Sequence, residues 1–253
     1  MPGFCKTGEG LTFRDMFLQR ILPTRPFTLA LIGVFLMLPL TPQAQLGYER
    51  PVVIERMQAY KQLIGADPDQ KLVELQTLNK ELVYDIRYAT SNNFTGQALY
   101  PRTTALCFLR RPAAEALSRV AHSLQKKGLG LKIFDAYRPY AVTEKFWRLI
   151  ADERYVANPA KGSGHNRGIA VDLTIVDLQT KKELDMGTGF DNFSDTAHHS
   201  FTDLPVQVLQ NRKLLRDEMI AQGFVPLDTE WWHYALPNAG RYPLLNIPFK
   251  KIE

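Results

Sequence analysis

Two short stretches of this chain concentrate side chains that could bind a metal ion and move protons. The first reads Ser163-Gly164-His165-Asn166-Arg167-Gly168-Ile169-Ala170-Val171-Asp172-Leu173, and the second Glu230-Trp231-Trp232-His233. An imidazole nitrogen and a carboxylate oxygen both bind Zn²⁺ at about 2.0–2.2 Å, so His165 and Asp172 can share an ion only with donor atoms within roughly 4 Å of each other. Seven residues of extended chain would part them by about 23 Å. The backbone must therefore reverse between them, and Gly168 stands where such a turn needs a residue tolerant of positive φ. Beyond it Ile169, Val171 and Leu173 alternate with Ala170, Asp172 and Thr174. That is the period of a strand with one apolar face, and it turns Asp172 to the opposite side, beside the small Ala170.

His233 would be the third ligand, leaving one position for a water, which is the arrangement of a catalytic rather than a closed structural zinc. Glu230 has the chemistry of a general base for that water. Residues three apart face opposite ways in a regular strand, so Glu230 and His233 share a site only if the backbone kinks or winds one turn; the sequence leaves both open. A third segment, Asp135-Ala136-Tyr137-Arg138-Pro139, reads as a strand running into a turn with a guanidinium at its tip. Arg138 could stabilise negative charge developing on a carbonyl oxygen, pair with Asp135, or do both.

Other candidates are weaker. His198 and His199 look like a metal pair, but adjacent side chains diverge in helix and strand alike, so one ion cannot easily take both; a place in the cleft is open for either. His122 reads as an ordinary helix-surface histidine. Cys107 reads as a buried, inert thiol, and with only Cys5 besides it no thiolate zinc site is expected.

The elements that must position these groups follow from hydrophobic period. Residues 111–127 form the clearest helix: Pro112 suits its first turn, Leu117, Val120, Ala121 and Leu124 recur at helical spacing, and Gly128 follows. Further helices are expected at 51–64, from Val53, Met57, Tyr60 and Leu63, at 140–150 with Val142, Phe146, Leu149 and Ile150 buried, and at 209–221. Strands are expected at 82–88 and 129–139. The polar, turn-rich stretch 179–193 could cover the site.

At 253 residues the chain can bury one full-sized core. Of its formal charge of +5, residues 1–44 carry +2 through Lys6, Arg14, Arg20 and Arg25 against Glu9 and Asp15, which leaves +3 for the remainder. So mild and dispersed a charge argues against nucleic acid as a partner. The apolar run at residues 27–40 has basic residues before it and the length of a signal-peptide core, short for a spanning helix. A leader ending near Ala44, no stable membrane insertion after its removal, and an exported, periplasmic protein are therefore expected, with a helical extension at 45–70 and one catalytic domain at 71–253.

Together the motifs resemble the D-alanyl-D-alanine dipeptidases of the VanX type, zinc peptidases related to the D-Ala-D-Ala carboxypeptidases. The resemblance runs from about residue 82 to the C-terminus. It rests on Tyr88-Ala89-Thr90 with Asn93-Phe94-Thr95-Gly96, Asp135-Ala136-Tyr137-Arg138-Pro139, Ser163-Gly164-His165-Asn166-Arg167-Gly168 with Ala170 and Asp172-Leu173-Thr174, Met186-Gly187 with Phe190-Asp191 and His198-His199, and Glu230-Trp231-Trp232-His233-Tyr234. It implies one zinc ion per chain held by His165, Asp172 and His233, Glu230 as catalytic base, Arg138 as stabiliser of the tetrahedral intermediate, and Ser163 as a substrate contact. The fold implied is α+β, a compact single domain whose central antiparallel sheet, flanked by helices, carries the zinc site. Gly164 departs from the family, where serine is common, and is expected to matter little to the metal. The reaction implied is hydrolysis of D-alanyl-D-alanine to two D-alanines. Two alternatives remain: a zinc D,D- or L,D-carboxypeptidase acting on muramyl peptides, and a non-enzymatic zinc-binding module, against which Glu230 and Arg138 argue because a structural site needs neither.

Overall fold

Val171, Leu173 and Ile175 are completely buried, as the alternating pattern around Asp172 requires. The computed structural model describes residues 47–252. The expected leader, with its apolar run at 27–40 and its end near Ala44, lies outside the described residues. In chain order the elements are β1 (Val53–Ile54), α1 (Met57–Ala66), β2 (Leu72–Glu74), β3 (Val83–Tyr84), β4 (Phe108–Arg110), α2 (Arg111–Gln125), β5 (Leu129–Asp135), α3 (Tyr140–Leu149), the single-turn α4 (Gly164–Arg167), β6 (Ala170–Asp177), α5 (Val206–Ala221), β7 (Val225–Leu227), β8 (Glu230–Ala235) and β9 (Leu244–Leu245). The class is α+β, as expected. None of these helices is long and apolar enough to cross a membrane.

A five-stranded sheet in the order β3-β5-β6-β8-β7 is the frame of the molecule. Its central pairings are antiparallel, and only the edge pair of β3 with β5 is parallel. One apolar core contains Leu117, Val120 and Leu124 from α2, Leu215 and Met219 from α5, and Leu131, Ile133, Val171, Leu173 and Ile175 from β5 and β6. These side chains alternate along each strand, so the residues between them, Asp172 among them, are left for the other face. Burying so many branched side chains at roughly 1.5–3 kcal/mol each fixes which way β6 faces.

Several expectations change at the edges. Val53 is not helical: β1 pairs in parallel with β9, so α1 begins only at Met57. The extension packs against the rest of the chain. Tyr60 shares a buried cluster with Leu72, Phe108 and Tyr137, and its hydroxyl accepts the Leu72 N–H at 2.7 Å. The strand expected over 82–88 stops at Tyr84, because a 3₁₀ turn at Arg87–Ala89 buries Tyr88 in a second cluster with Tyr100 and Phe146. On α3 it is Tyr140, Val142, Thr143 and Phe146 that are buried, whereas Leu149 is 46% exposed.

Arg110 ties the layers together at the foot of the site. Fully buried, it donates to the carbonyls of Gln70, Arg167 and Pro243, the last two at 2.9 and 3.0 Å, and burial lowers its pKa to about 10. Replacing it by methionine, similar in reach but without donors, strands three carbonyls. We expect Arg110→Met to lose about 3 kcal/mol or more in urea unfolding, with Tm down by roughly 6–12 °C; a loss below about 1 kcal/mol would show that the carbonyls find other partners.

Candidate active site

His165 is delivered by one turn of helix. Ser163 caps α4: its Oγ accepts the Asn166 N–H at 3.2 Å while the Asn166 side-chain oxygen accepts the Ser163 N–H at 3.1 Å. Gly168 ends the turn with φ 71°, and a Cβ there would also lie 2.8 Å from Leu72 Cδ2. Both demands exclude other residues, and they produce the reversal the sequence called for between His165 and Asp172. The neighbouring glycine is steric rather than conformational. A Cβ on Gly164 would come within 2.8 Å of the Ala170 Cβ, so the departure at this position lets α4 lie against β6.

Asp172 and His233 face each other directly across β6 and β8. The strand β8 meets its other neighbour differently. Pro226 pairs with Tyr234 but Leu227 pairs with Glu230, so one step along β7 spans four along β8. Glu230 therefore leaves the tight turn at Asp228 and Thr229, the backbone bulges, and Glu230 and His233 come to line the same cavity. Of the two possibilities the sequence left open, the kink is the one found.

The three candidate ligands converge. His165 Nε2 lies 3.3 Å from Asp172 Oδ2 and 3.3 Å from His233 Nδ1, and His233 Nδ1 lies 2.8 Å from Asp172 Oδ1. All three donor atoms fit within 4.8 Å of one another, the only such group among the described residues. His165 Nδ1 lies 2.8 Å from the Ala136 carbonyl, which can only accept, so Nδ1 carries a proton and Nε2 is the nitrogen turned to the cluster. His233 Nδ1 faces both Asp172 and His165. A divalent cation placed among these three atoms would satisfy all three donors, which is how a His-Asp-His set fits a metal. Burial alone would raise the Asp172 carboxyl, but the two imidazoles outweigh it and hold the group well below the usual range.

Around this cluster lies a cavity of about 310 Å³ lined also by Arg138, Ser163, Asp191, Glu230 and Trp232. Glu230 Oε2 is 3.9 Å from His233 Nδ1. Burial, helped by the charge of Asp172, raises its pKa to about 7. Arg138 is anchored on Asp135 Oδ2 through Nε at 2.9 Å and Nη2 at 2.7 Å, with its guanidinium carbon 4.7 Å from the Phe146 ring centre and 5.2 Å from that of Tyr88. Arg138 is therefore paired with Asp135, one of the two readings the sequence offered, and it also lines the cavity. Its backbone is pinned as well, since Arg138 N–H donates to the His165 carbonyl at 3.1 Å and the Asn166 side chain donates to the Arg138 carbonyl at 2.9 Å.

Asp191 is a cavity residue to which sequence reasoning gave no role. It sits at φ 61°, accepts the Tyr88 hydroxyl on Oδ1 at 3.0 Å, and buries Oδ2 with no hydrogen-bond partner among the described residues. Burial, then the charge of Asp172, raises its pKa to about 7. The turn-rich stretch around it and its place in the Phe190-Asp191 motif were the signals available, and of that stretch Asp191 and Phe193 do line the cavity. His198 and His199 do not. His199 packs on the far side of β8 beside Tyr234, with ring centres 6.1 Å apart, and burial together with nearby Arg216 and Arg212 lowers its pKa to about 4. His122 is exposed and bonded to the Ser118 carbonyl at 2.7 Å, and burial pushes the Cys107 thiol well above its usual range, so both read as expected.

With this geometry in view, residues 68–252 match the family model described as D-ala-D-ala dipeptidase. Similar curated proteins include a D-alanyl-D-alanine dipeptidase of Escherichia coli (strain K12), 39% identical over 69% of this chain and 89% of that one. Two others, from Streptomyces coelicolor and Enterococcus faecium, are 33% and 32% identical, each over 60% of this chain and 85% of its own length.

The raised pKa of Glu230 has a stability consequence. A folded value of about 7 against an ordinary 4.5 means that above pH 7 an ionised, buried carboxylate opposes folding, and the penalty fades as pH falls from 7 to 4.5. In metal-stripped protein we expect Glu230→Gln to raise the unfolding free energy by on the order of 1–3 kcal/mol at pH 8 and by little at pH 4.5. Urea titrations at both pH values check this; an equal gain at both would show that the charge is not what costs stability.

Proposed function

From the membership of this chain in the D-ala-D-ala dipeptidase family and from the geometry of its cleft, we infer a zinc metallopeptidase that hydrolyses D-alanyl-D-alanine to two D-alanines. Asp191 carries the dipeptide reading. A buried carboxylate oxygen without a partner among the described residues calls for a cation, and the free ammonium of a dipeptide is one, whereas a longer muramyl peptide would bring a neutral amide to the same place. The cavity, about 310 Å³, is at the small end for ligand sites, which supports a small substrate.

His165 Nε2, Asp172 and His233 Nδ1 would hold the zinc, since two imidazoles and one carboxylate suit that ion and leave a position open. When bound, zinc supplies Lewis acidity, lowering the pKa of water from about 15.7 towards 7 and polarising the substrate carbonyl. Glu230 is the base: it takes the proton from the attacking water on its carboxylate and delivers it to the leaving amine. Its elevated pKa suits both halves of that task, and the nearby cation will draw the value down. Arg138, already fixed by Asp135, donates to the carbonyl oxygen as charge builds there. The Ser163 hydroxyl, whose oxygen is engaged as an acceptor at the helix cap, still has its proton to donate to the terminal carboxylate of the substrate. Asp135 pairs with Arg138, Asp172 would hold the zinc, and Asp191 would face the substrate ammonium. The basic and then apolar start of the chain supports an exported, periplasmic enzyme.

The test is to incubate the zinc-loaded protein with D-Ala-D-Ala, L-Ala-L-Ala and a muramyl pentapeptide and to measure released alanine. We expect turnover of the D,D-dipeptide alone, and release from the pentapeptide at a comparable rate would favour the carboxypeptidase. Asp191→Asn should raise KM for the dipeptide by tenfold or more. Glu230→Gln should keep its metal and lose at least a hundredfold in kcat; near-native turnover would remove Glu230 from the mechanism.

A further inference from the structure

The guanidinium of Arg138 is aimed by Asp135, but Asp135 is itself held by a group outside the cavity lining. Its Oδ2 takes both Arg138 contacts, and its other oxygen, Oδ1, accepts the Tyr100 hydroxyl at 2.6 Å. All three side chains are buried, with Tyr100 at 4%, Asp135 at 1% and Arg138 at 8% exposure. Burial and the adjacent carboxylate push the Tyr100 hydroxyl well above its usual range, so it is the donor in this pair. Without it, Asp135 could rotate about its Cα–Cβ and Cβ–Cγ bonds and carry the guanidinium with it, because no other hydrogen bond from the described residues holds Oδ1.

The tyrosine is well placed to transmit rigidity. Its backbone N–H donates to the Tyr88 carbonyl at 2.8 Å, and its ring meets Tyr88 and Phe249 edge to face, with centres 5.9 and 5.0 Å away. Tyr88 in turn donates to Asp191. The loop between the two tyrosines closes on itself through Asn93, whose side chain bonds the carbonyls of Arg87, Thr90 and Gln97. The hydroxyl of Tyr100 is thus fixed by a self-contained loop and by aromatic packing, independently of the strands that carry the candidate ligands.

We propose that Tyr100 is a positioning residue for hydrolysis, orienting the Arg138 guanidinium through Asp135 without touching substrate or metal. The proposal rests on the role given to Arg138 above. Misaiming a donor by a fraction of an ångström affects the transition state, where charge sits on the carbonyl oxygen, far more than the bound substrate. The signature is therefore a fall in kcat with KM nearly constant.

Tyr100→Phe keeps the ring and its aromatic contacts and removes only the hydroxyl. We expect kcat for D-Ala-D-Ala to fall about tenfold, with KM within twofold and zinc content unchanged. In an Arg138→Ala background the same substitution should change kcat by less than twofold, because nothing remains to be aimed. Asp135→Asn gives a second route: it should lower kcat, and Tyr100→Phe should add little to it. Unaltered kcat in Tyr100→Phe, or the same tenfold loss with Arg138 absent, overturns the proposal while leaving the proposed reaction standing. Wild-type enzyme inert towards the dipeptide, or Arg138→Ala with full activity, overturns the role of Arg138 and this proposal with it.

Discussion

Asp172 and His233 must stay opposite each other across β6 and β8, and most of the architecture can be understood as protecting that register. Side chains alternate along a strand, so a slip of one residue would turn His233 away from Asp172 and send Tyr234 into the cavity. The apolar partners on the reverse face prevent it: Val171 and Leu173 on β6 and Tyr234 on β8 share one buried core with α2 and α5. The irregularity that Glu230 needs is placed on the other side of β8, in its pairing with the short edge strand β7. Bulges at sheet edges re-aim side chains without disturbing the centre, and here the central pairing stays regular while the edge absorbs the extra residues.

The site built on that register is electrostatically unfavourable by itself. Asp172, Asp191 and Glu230 line one partly enclosed cavity, and the last two have pKa values raised to about 7 by burial and by the charge of Asp172. Carboxylates crowded like this cost stability unless cations join them. Arg138 offsets only part of this, since it also serves Asp135. The arrangement is coherent once a divalent ion and an ammonium group are added, each at the acid that faces it. Fold and function conflict here in the way expected of a site preorganised for bound charge.

Much of this was legible in the sequence because the relevant signals were local. The turn at Gly168, the alternation after it and the helical stripe of α2 each follow from steric or periodic rules acting within a dozen residues. The capping box that joins Ser163 to Asn166 follows the same spacing rule and could have been read as well. What could not be read depended on distant partners. Val53 has helical spacing with Met57, yet its pairing with Leu244 wins, because β-bridging to a remote strand leaves no trace in local period. Tyr88 reads as the end of a strand, but its hydroxyl is needed at Asp191, over a hundred residues away, and the chain turns to deliver it. Asp191 itself stands in a polar loop where acids are commonplace; the Phe190-Asp191 motif marked it without giving it a role, and what distinguishes it physically is a buried oxygen with no partner among the described residues. For His198 and His199 the sequence left a place in the cleft open, and the cavity lining includes neither; His199 packs instead on Tyr234, behind β8.

Whether one metal ion is shared by three elements, α4, β6 and the bulged β8, is measured most directly by anomalous X-ray scattering at the zinc edge from crystals of the zinc-loaded protein. A single strong peak per chain is expected within bonding distance, about 2.0–2.2 Å, of His165 Nε2, an Asp172 oxygen and His233 Nδ1. Its loss should follow from His233→Ala. A peak elsewhere in the molecule, or undiminished hydrolysis by protein stripped of metal, would contradict a shared catalytic ion.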